Sequence, residues 1–268
     1  MIDIHSHILP GIDDGAADIE VALNMLRVAA ADGIREIVAT PHYLPGVYDT
    51  SPESVRRKTE EIRKLAEERE IPIRIHCAQE VHAGAGLLRK IDENEILTLD
   101  PARRYLLLEM PAAEVPRWME QLLFELEVGE IVAILAHPER NHGVIEEPER
   151  LRSLVEKGCL VQITAASLTG WYGPRVRETA LTILHANLVH AVASDAHNDT
   201  SRAPLLSAAR ALVEELMPAG TAARLFDVVP AALVAGKPVA CSPPRPFPPK
   251  RKRSFWSFLS GRNRADRD

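Results

Sequence analysis

The amino-acid sequence predicts an α/β protein whose parallel strands form a closed or nearly closed barrel. Short apolar strands alternate with helical segments along the 268 residues, and this order requires crossover connections between parallel strands. His, Asp and Glu residues follow the predicted strands directly, and the carboxyl ends of barrel strands meet on one face. An open sheet would spread these side chains along an edge, so we favour the barrel.

Seven segments have the aliphatic and β-branched composition of strands: residues 1–4, 36–40, 73–78, 105–109, 131–136, 160–164 and 189–194. Five helices are predicted between them, several with proline near the first turn: residues 19–31, 52–69, 116–127, 148–157 and 173–186. Two further helical segments, residues 204–216 and 221–235, follow the last strand. Seven strand–helix units fit a barrel better than a three-layer open sheet.

We expect one domain over residues 1–241 and a tail over residues 242–268. Residues 242–249 contain five prolines, and the basic run Lys-Arg-Lys-Arg at 250–253 is followed by Ser-Phe-Trp-Ser-Phe-Leu. A proline-rich, basic segment of this kind does not join a packed barrel, so it is predicted to be disordered.

Composition and charge exclude several functional classes. The net charge is −6, and the tail carries eight Arg and Lys against two Asp, a balance of +6, which leaves −12 on residues 1–241. An acidic body argues against nucleic-acid binding. The three scattered cysteines (Cys77, Cys159 and Cys241) argue against a disulfide framework. With no apolar stretch of membrane-spanning length and no signal-peptide pattern at the start, a cytoplasmic location is expected.

Candidate metal ligands recur after the predicted strands. His5 and His7 are two residues apart on an extended strand, so both project from the same face. Imidazole is the commonest metal-binding side chain. The full candidate set is His5, His7, Asp14, His42, Glu80, Glu109, His137, Asp195 and His197. Taken singly, each has an ordinary explanation, such as a hydrogen-bonded histidine, a helix cap or a salt bridge.

Together these residues predict a multinuclear metal site. An unpaired carboxylate or imidazole at the end of a buried strand would cost several kcal/mol without a cation or a partner. Nine ligands exceed what one ion requires, so a shared, bridging carboxylate is expected. Mixed His and carboxylate ligands suit Mn, Fe or Zn. Such a site favours hydrolysis, because a metal lowers the pKa of a bound water to about 7.

Two arginines close to the ligands indicate a phosphoester substrate. Arg140 follows His137 by three residues and Arg202 follows His197 by five. A guanidinium group offers a planar set of donors that matches phosphate oxygens. For either arginine alone, a surface salt bridge is an equally good interpretation. No general acid is assigned, and the nearby Asp13, His82 and His142 are interpreted as ordinary loop residues.

The motifs in their order resemble those of the PHP family of metallophosphoesterases. The motifs are the initial His-x-His, Asp-Asp-Gly at 13–15, Thr-Pro-His at 40–42, the glutamate after the third strand, His-Pro-Glu-Arg at 137–140 and Ser-Asp-Ala-His at 194–197. Within that family, residues 1 to about 202 resemble the bacterial capsule-type protein-tyrosine phosphatases. The resemblance covers about three-quarters of the chain, so it is more specific than any single motif.

The resemblance implies a distorted (β/α)7 TIM-like barrel, the PHP fold, with three divalent ions that are commonly Mn. It places His5, His7, Glu80 and Asp195 on the first ion. The second ion would be held by Glu80, Glu109 and His137, and the third by Asp14, His42 and His197. Arg140 and Arg202 would bind the phosphate.

The resemblance also implies a phosphotyrosyl protein substrate, namely the autophosphorylated, membrane-associated tyrosine kinase that controls capsule or exopolysaccharide assembly. The basic tail could then make weak contact with anionic lipid at the inner face of the membrane, a solvated tail being the alternative. Two other functions stay open: a PHP phosphatase of a small metabolite such as histidinol phosphate, and a non-catalytic metal-binding scaffold of the polysaccharide machinery. No oligomeric state is predicted.

Overall fold

The structure, a computed structural model, describes residues 1–247. In this range every pair of hydrogen-bonded strands is parallel. The strands are β1 (Ile2–Ser6), β2 (Glu36–Ala39), β3 (His42–Tyr43), β4 (Arg74–Cys77), β5 (Glu80–His82), β6 (Tyr105–Glu109), β7 (Val132–Ala136), β8 (Leu160–Thr164) and β9 (Ala191–Ala193).

The helices alternate with these strands, as the sequence predicted. They are α1 (Ile19–Ala31), α2 (Pro52–Glu68), α3 (Leu87–Asp92), α4 (Met119–Val128), α5 (His142–Glu146), α6 (Glu149–Glu156), α7 (Ala165–Thr169), α8 (Pro174–His185), α9 (Ser207–Leu216), α10 (Thr221–Ala223) and α11 (Val229–Val234). A 3-10 turn (Pro138–Arg140) follows β7, and a π-helical segment (Arg224–Val228) joins α10 to α11.

The strands follow seven paths around a ring. They form two sheets, in the orders β1-β2-β4 and β3-β5-β6-β7-β8-β9. β2 and β3 are one path interrupted at residues 40–41, and β4 and β5 are one path interrupted at residues 78–79. Two hydrogen bonds then join the last path to the first: Asp195 N donates to His5 O at 2.9 Å, and His7 N donates to Ala196 O at 2.8 Å. The predicted α/β fold of seven parallel units is confirmed.

The two faces of each strand pack against different neighbours. On β6, Leu107 belongs to a cluster that also contains Ile4, Val38 and Ile134 from other strands, whereas Leu106 and Leu108 pack with apolar side chains of the helices. This division explains the uninterrupted apolar run at residues 105–108, because strands in a barrel are buried on both faces. Most of the candidate site residues are therefore found at or just after the strand ends.

The first residues of the expected tail lie against the body. Asn187 Nδ2 donates to the carbonyl oxygens of Ser242 and Pro243 at 3.1 and 3.0 Å, and Arg245 N donates to the carbonyl of residue 186 at 2.7 Å. The guanidinium group of Arg152 lies 4.5 Å from the centre of the Phe247 ring. The rest of the tail, including the basic run at 250–253, lies outside the described residues. Within residues 1–247, the helices are all too short or too polar to cross a membrane.

Candidate metal centre

Eight of the nine predicted ligands lie on the strands or within four residues of their carboxyl ends, and the ninth lies in a loop on the same face. His5 lies on β1, His42 begins β3, Glu80 begins β5 and Glu109 ends β6, while His7, His137, Asp195 and His197 follow β1, β7 and β9. Asp14 lies in the loop before α1. Residues that are up to 192 positions apart in the sequence thus share one site.

Glu80 is at the centre of this cluster. Its Oε2 atom lies 3.2 Å from His5 Nε2, 3.3 Å from His7 Nε2 and 3.0 Å from His42 Nδ1, and its Oε1 atom lies 2.8 Å from His137 Nε2. The carboxylate is buried, and Oε2 has no hydrogen-bond partner among the described residues. Two atoms that each lie about 2.1 Å from one ion are separated by roughly 3.0 to 3.4 Å. The spacing around Oε2 therefore fits ligands that share a cation.

Asp195 links the histidines to the two arginines. Its Oδ1 atom lies 3.4 Å from His5 Nε2 and 3.5 Å from His7 Nε2. Its Oδ2 atom lies 2.7 Å from Arg140 Nη1 and 2.9 Å from Arg202 Nη2. The guanidinium groups that the sequence assigned to phosphate binding therefore reach the same cluster as the ligands.

Two carboxylates that are more exposed than Glu80 and Asp195 complete the cluster. Asp14 Oδ1 lies 3.5 Å from both His42 Nε2 and His197 Nε2, and its side chain is 47% exposed. Glu109 lies 3.8 Å from His42 and from His137. These carboxylates face the solvent side of the site, while Glu80 and Asp195 lie at its base.

Four groups of side chains bring ligand atoms within 4.8 Å of one another. They are His7–Asp14–His42–His197, His5–His7–Glu80, His5–His137–Asp195 and His42–Glu80–Glu109. The first group contains the three residues expected on the third ion and adds His7. The second contains three of the four residues expected on the first ion. The triad expected on the second ion, Glu80, Glu109 and His137, is divided between two groups, so this assignment stays a prediction.

The electrostatics of the cluster favour bound positive charge. Burial alone would raise the pKa of Glu80, but His5, His137 and His42 hold it well below its usual range. Burial alone would lower the pKa of His7, yet Asp13, Asp195 and Glu80 raise it well above its usual value. The buried carboxylates thus favour the protonated, positively charged form of the neighbouring imidazoles. A bound divalent cation would supply positive charge at the same place. The donor set fits a metal.

Two ligands adopt backbone conformations that non-glycine residues rarely use. The φ angles of His137 and Asp195 are +34° and +52°; His137 directly follows β7, and Asp195 lies two residues after the end of β9. Gly15 is also constrained, because a Cβ atom at this position would lie 2.1 Å from the carbonyl oxygen of His7. Strain of this kind is concentrated at functional sites, where the surrounding structure imposes it. The backbone is therefore shaped to converge the ligands.

Residues 1–235 match the family model described as capsular polysaccharide synthesis, CpsB/CapC. The chain belongs to the CpsB/CapC family. It is 41% identical over 202 residues to the tyrosine-protein phosphatase YwqE of Bacillus subtilis, a match that covers 75% of this chain and 79% of the relative. It is 31% identical over 231 residues to the tyrosine-protein phosphatase CpsB of Streptococcus pneumoniae, covering 84% of this chain and 95% of that protein.

Solved structures agree with this assignment to the CpsB/CapC family. A chain from the crystal structures of YwqE and CpsB, described as unique metal-dependent tyrosine phosphatases, matches with a TM-score of 0.89 and 36% identity. That match covers 92% of this chain and all of the other. A β-aspartyl dipeptidase of Fervidobacterium islandicum AW-1 matches with a TM-score of 0.51 at 13% identity, which shows a shared fold alone.

Sequence reasoning missed three residues that support the ligands of this CpsB/CapC site. Asp13 Oδ2 lies 2.7 Å from His7 Nδ1 and accepts a hydrogen bond from His42 N at 3.0 Å. Gln162 Oε1 lies 2.9 Å from His5 Nδ1. Such contacts turn Nε2 of each ring toward the metal site. Position in the Asp-Asp-Gly motif was a signal for Asp13, whereas a single glutamine inside β8 gave none.

The third missed residue is Glu139, which is fully buried beside Arg140. Its Oε1 atom accepts hydrogen bonds from Thr164 N at 2.9 Å and Ser167 Oγ at 2.6 Å. These bonds tie the 3-10 turn that carries Arg140 to the start of α7. Taken alone, the His-Pro-Glu-Arg loop could hold its glutamate and arginine as a solvated ion pair, but the glutamate side chain points into the protein.

Proposed function

We propose that this chain is a metal-dependent protein-tyrosine phosphatase that hydrolyses phosphotyrosine on a protein substrate. One observation carries the proposal: nine His and carboxylate side chains, with Glu80 at their centre, converge in one cluster, and Arg140 and Arg202 lie at its edge. The family relationship supports it, since relatives with 31–41% identity are named tyrosine-protein phosphatases.

In this proposal the cluster would hold three divalent ions of Mn, with Fe and Zn as chemically acceptable alternatives. His5, His7, Glu80 and Asp195 would hold one ion; Glu80, Glu109 and His137 would hold a second; Asp14, His42 and His197 would hold a third. When bound, the ions activate water as a nucleophile at neutral pH and neutralise phosphate oxygens. Glu80 would contribute to two of these sites, because its two oxygens face different histidines.

Arg140 and Arg202 bind and orient the phosphate group. Their side chains are 22% and 26% exposed, so N–H groups remain available to a ligand while Asp195 holds both guanidinium groups in place. Charge-assisted, bidentate hydrogen bonds of this type are among the strongest in proteins. The leaving group is a phenolate with a pKa near 10, so a strong general acid is less necessary than for serine phosphate.

The substrate in this proposal is a membrane-associated bacterial tyrosine kinase that regulates capsule or exopolysaccharide synthesis. The protein acts in the cytoplasm, with residues 1–241 as the phosphatase domain and residues 242–268 as a proline-rich, basic tail whose first residues, 242–247, lie against that domain. The family description, capsular polysaccharide synthesis, supports this setting. Contact of the basic tail with anionic lipid would bring the phosphatase close to such a kinase.

The test combines elemental analysis with kinetics on purified protein. Wild-type protein is expected to bind more than one equivalent of metal and to prefer a phosphotyrosyl peptide over histidinol phosphate. Glu80→Ala is expected to lose more than one metal equivalent and nearly all activity, and Glu127→Ala, at an exposed glutamate on α4, serves as the matched control. Retention of metal and activity by Glu80→Ala would refute the site, and a preference for histidinol phosphate would refute the substrate class.

A further inference from the structure

An exposed tryptophan lies next to one of the proposed phosphate-binding residues. Trp171 is in the loop between α7 and α8, on the same face of the barrel as the ligands, and 54% of its surface is exposed. Gly170 and Gly173, the glycines on either side of Trp171 and Tyr172, have φ angles of +94° and +92°. Because both glycines adopt the left-handed region, the loop makes two sharp turns and projects residues 171–172 from the barrel.

Tyr172 connects this tryptophan to Arg140. Arg140 Nη1 donates a hydrogen bond to Tyr172 Oη at 3.1 Å, and the guanidinium carbon lies 5.0 Å from the centre of the tyrosine ring. The Trp171 ring packs edge-on against Tyr172, with the ring centres 4.7 Å apart and the planes at 84°. The chain of contacts Asp195–Arg140–Tyr172–Trp171 runs from the base of the metal cluster to the surface.

We propose that the indole of Trp171 contacts the phenyl ring of the substrate phosphotyrosine while Arg140 binds its phosphate. This inference rests on the proposed function and names a specificity-determining residue within it. In phosphotyrosine the phenyl ring is bonded to the ester oxygen of the phosphate. A phosphate bound by Arg140 therefore places that ring within about one ring diameter of the guanidinium group. The Tyr172 ring lies 5.0 Å from the guanidinium carbon of Arg140, and the Trp171 ring packs against the Tyr172 ring with the ring centres 4.7 Å apart.

The chemistry of aromatic contacts explains why this residue would select aryl esters. An edge-to-face or offset-stacked pair adds about 0.5–1.5 kcal/mol to ordinary burial of the ring. A phosphoserine side chain carries no ring and gains nothing from the indole. Tryptophan is also the residue most enriched where a few side chains supply most of the binding energy. Trp171 therefore favours phosphotyrosine over phosphoserine without touching the reacting atoms.

Tyr48, in a second loop, is the alternative contact for the substrate ring. Tyr48 stacks on the candidate ligand His42, with the ring centres 5.4 Å apart and the planes at 14°, and the adjacent Val47 is 65% exposed. Tyr48 is packed against a ligand and presents less free surface than Trp171, which is why the proposal assigns the substrate ring to Trp171. The Tyr48→Ala variant tests this choice.

The first experiment compares phosphotyrosyl and phosphoseryl peptides of the same sequence, with metal-replete protein. Trp171→Ala is expected to lower kcat/KM for the phosphotyrosyl peptide about tenfold, mainly through KM, and to leave the phosphoseryl peptide unchanged. Trp171→Phe should restore most of this loss. Phe124→Ala, which removes an aromatic side chain that is 64% exposed on the outer helix α4, is the matched control and should change neither rate.

The second experiment measures binding without turnover. Phenylphosphonate is not hydrolysed, and its binding should change the intrinsic fluorescence of wild-type protein and of Trp118→Phe but not of Trp171→Phe. An unchanged peptide selectivity in Trp171→Ala, or a selectivity lost in Tyr48→Ala instead, overturns the role of Trp171. Wild-type protein that hydrolyses neither peptide would contradict the proposed function, and the fluorescence result then still decides whether Trp171 contacts an aryl phosphonate.

Discussion

The guanidinium groups of Arg140 and Arg202 converge on one oxygen atom, Oδ2 of Asp195, at 2.7 and 2.9 Å. The other oxygen of this carboxylate faces His5 and His7. Although burial would raise the pKa of Asp195, Arg140 and His5 hold it well below its usual range. One side chain therefore joins the metal-binding part of the site to its anion-binding part.

Loss of either arginine should impair turnover much more than folding. We expect Arg140→Ala to lower kcat about a hundredfold, the usual effect of removing one donor that stabilises developing charge. Arg140→Lys should recover only part of this loss, because an ammonium group cannot provide two parallel N–H donors. Steady-state kinetics on a phosphotyrosyl peptide measures the effect, and Arg89→Ala on the exposed face of α3 is the control. Full activity in Arg140→Ala would contradict phosphate binding by this residue.

Asp13 should control metal affinity through His7. Asp13→Asn weakens the contact that fixes the orientation of the His7 ring, so we expect metal affinity to fall about 10- to 100-fold. Competition with a metal chelator measures the affinity. Asp18→Asn, which keeps a capping side chain at the start of α1, is a control that should retain wild-type affinity. An unchanged affinity in Asp13→Asn would show that His7 is oriented by other contacts.

Because His137 has a positive φ angle, its replacement by glycine should leave the protein more stable than its replacement by alanine. A left-handed residue with a Cβ atom costs about 1–2 kcal/mol, and glycine avoids most of that cost. In chelator-treated protein we expect His137→Gly to be more stable than His137→Ala by about 1 kcal/mol, measured by urea unfolding. The same pair of changes at His82, on β5, should give the opposite order, because glycine destabilises a strand. Equal stabilities at both positions would contradict strain at His137.

His190 should make stability depend on pH. Burial, together with the nearby Arg224, lowers the pKa of its imidazole to about 4, and its Nδ1 atom accepts a hydrogen bond from Val161 N at 3.1 Å. The unfolded chain, with a pKa near 6.5, binds the proton first, so this group removes stability as the pH falls from about 6.5 to 4.

The expected loss from His190 is about 2 kcal/mol between pH 7.5 and pH 5. His190→Asn keeps an acceptor for Val161 N but has no titratable ring. Its free energy of unfolding should therefore fall by about 2 kcal/mol less than that of the wild type between pH 7.5 and pH 5. Urea unfolding of both proteins at the two pH values measures the difference. An identical pH dependence in the two proteins would show that His190 is not buried in its neutral form.

The sequence was sufficient to predict the ring of strands but not where the strands are interrupted. Pro41 lacks an N–H group, and the path of residues 36–43 breaks there into β2 and β3. The matching break at residues 78–79 contains no proline. It lies beside the break in the neighbouring path, because β4 pairs with β2 and β5 pairs with β3. Pairing partners are a tertiary property, and a local pattern does not contain them.

The candidate site shows the same division between local and tertiary information. His137 and Asp195 were predicted because each ends an apolar run, which is a local signal. Gln162 was not predicted, because its role depends on lying opposite His5, which is 157 residues away in sequence. The helical segment at residues 221–235 was predicted as one element, but the structure contains a π-helical section just before Pro230. Proline breaks the regular hydrogen-bonding pattern there.

The seam where the barrel closes determines when the site can exist. His5, His7 and Asp195 lie on the two hydrogen bonds that join the first strand path to the last. A nascent chain that ends before residue 195 contains seven of the nine ligands, yet it has no seam to hold them together. Bringing ends this distant together has a large entropic cost and is slow. We therefore expect the complete metal site to form late, once the whole domain has folded.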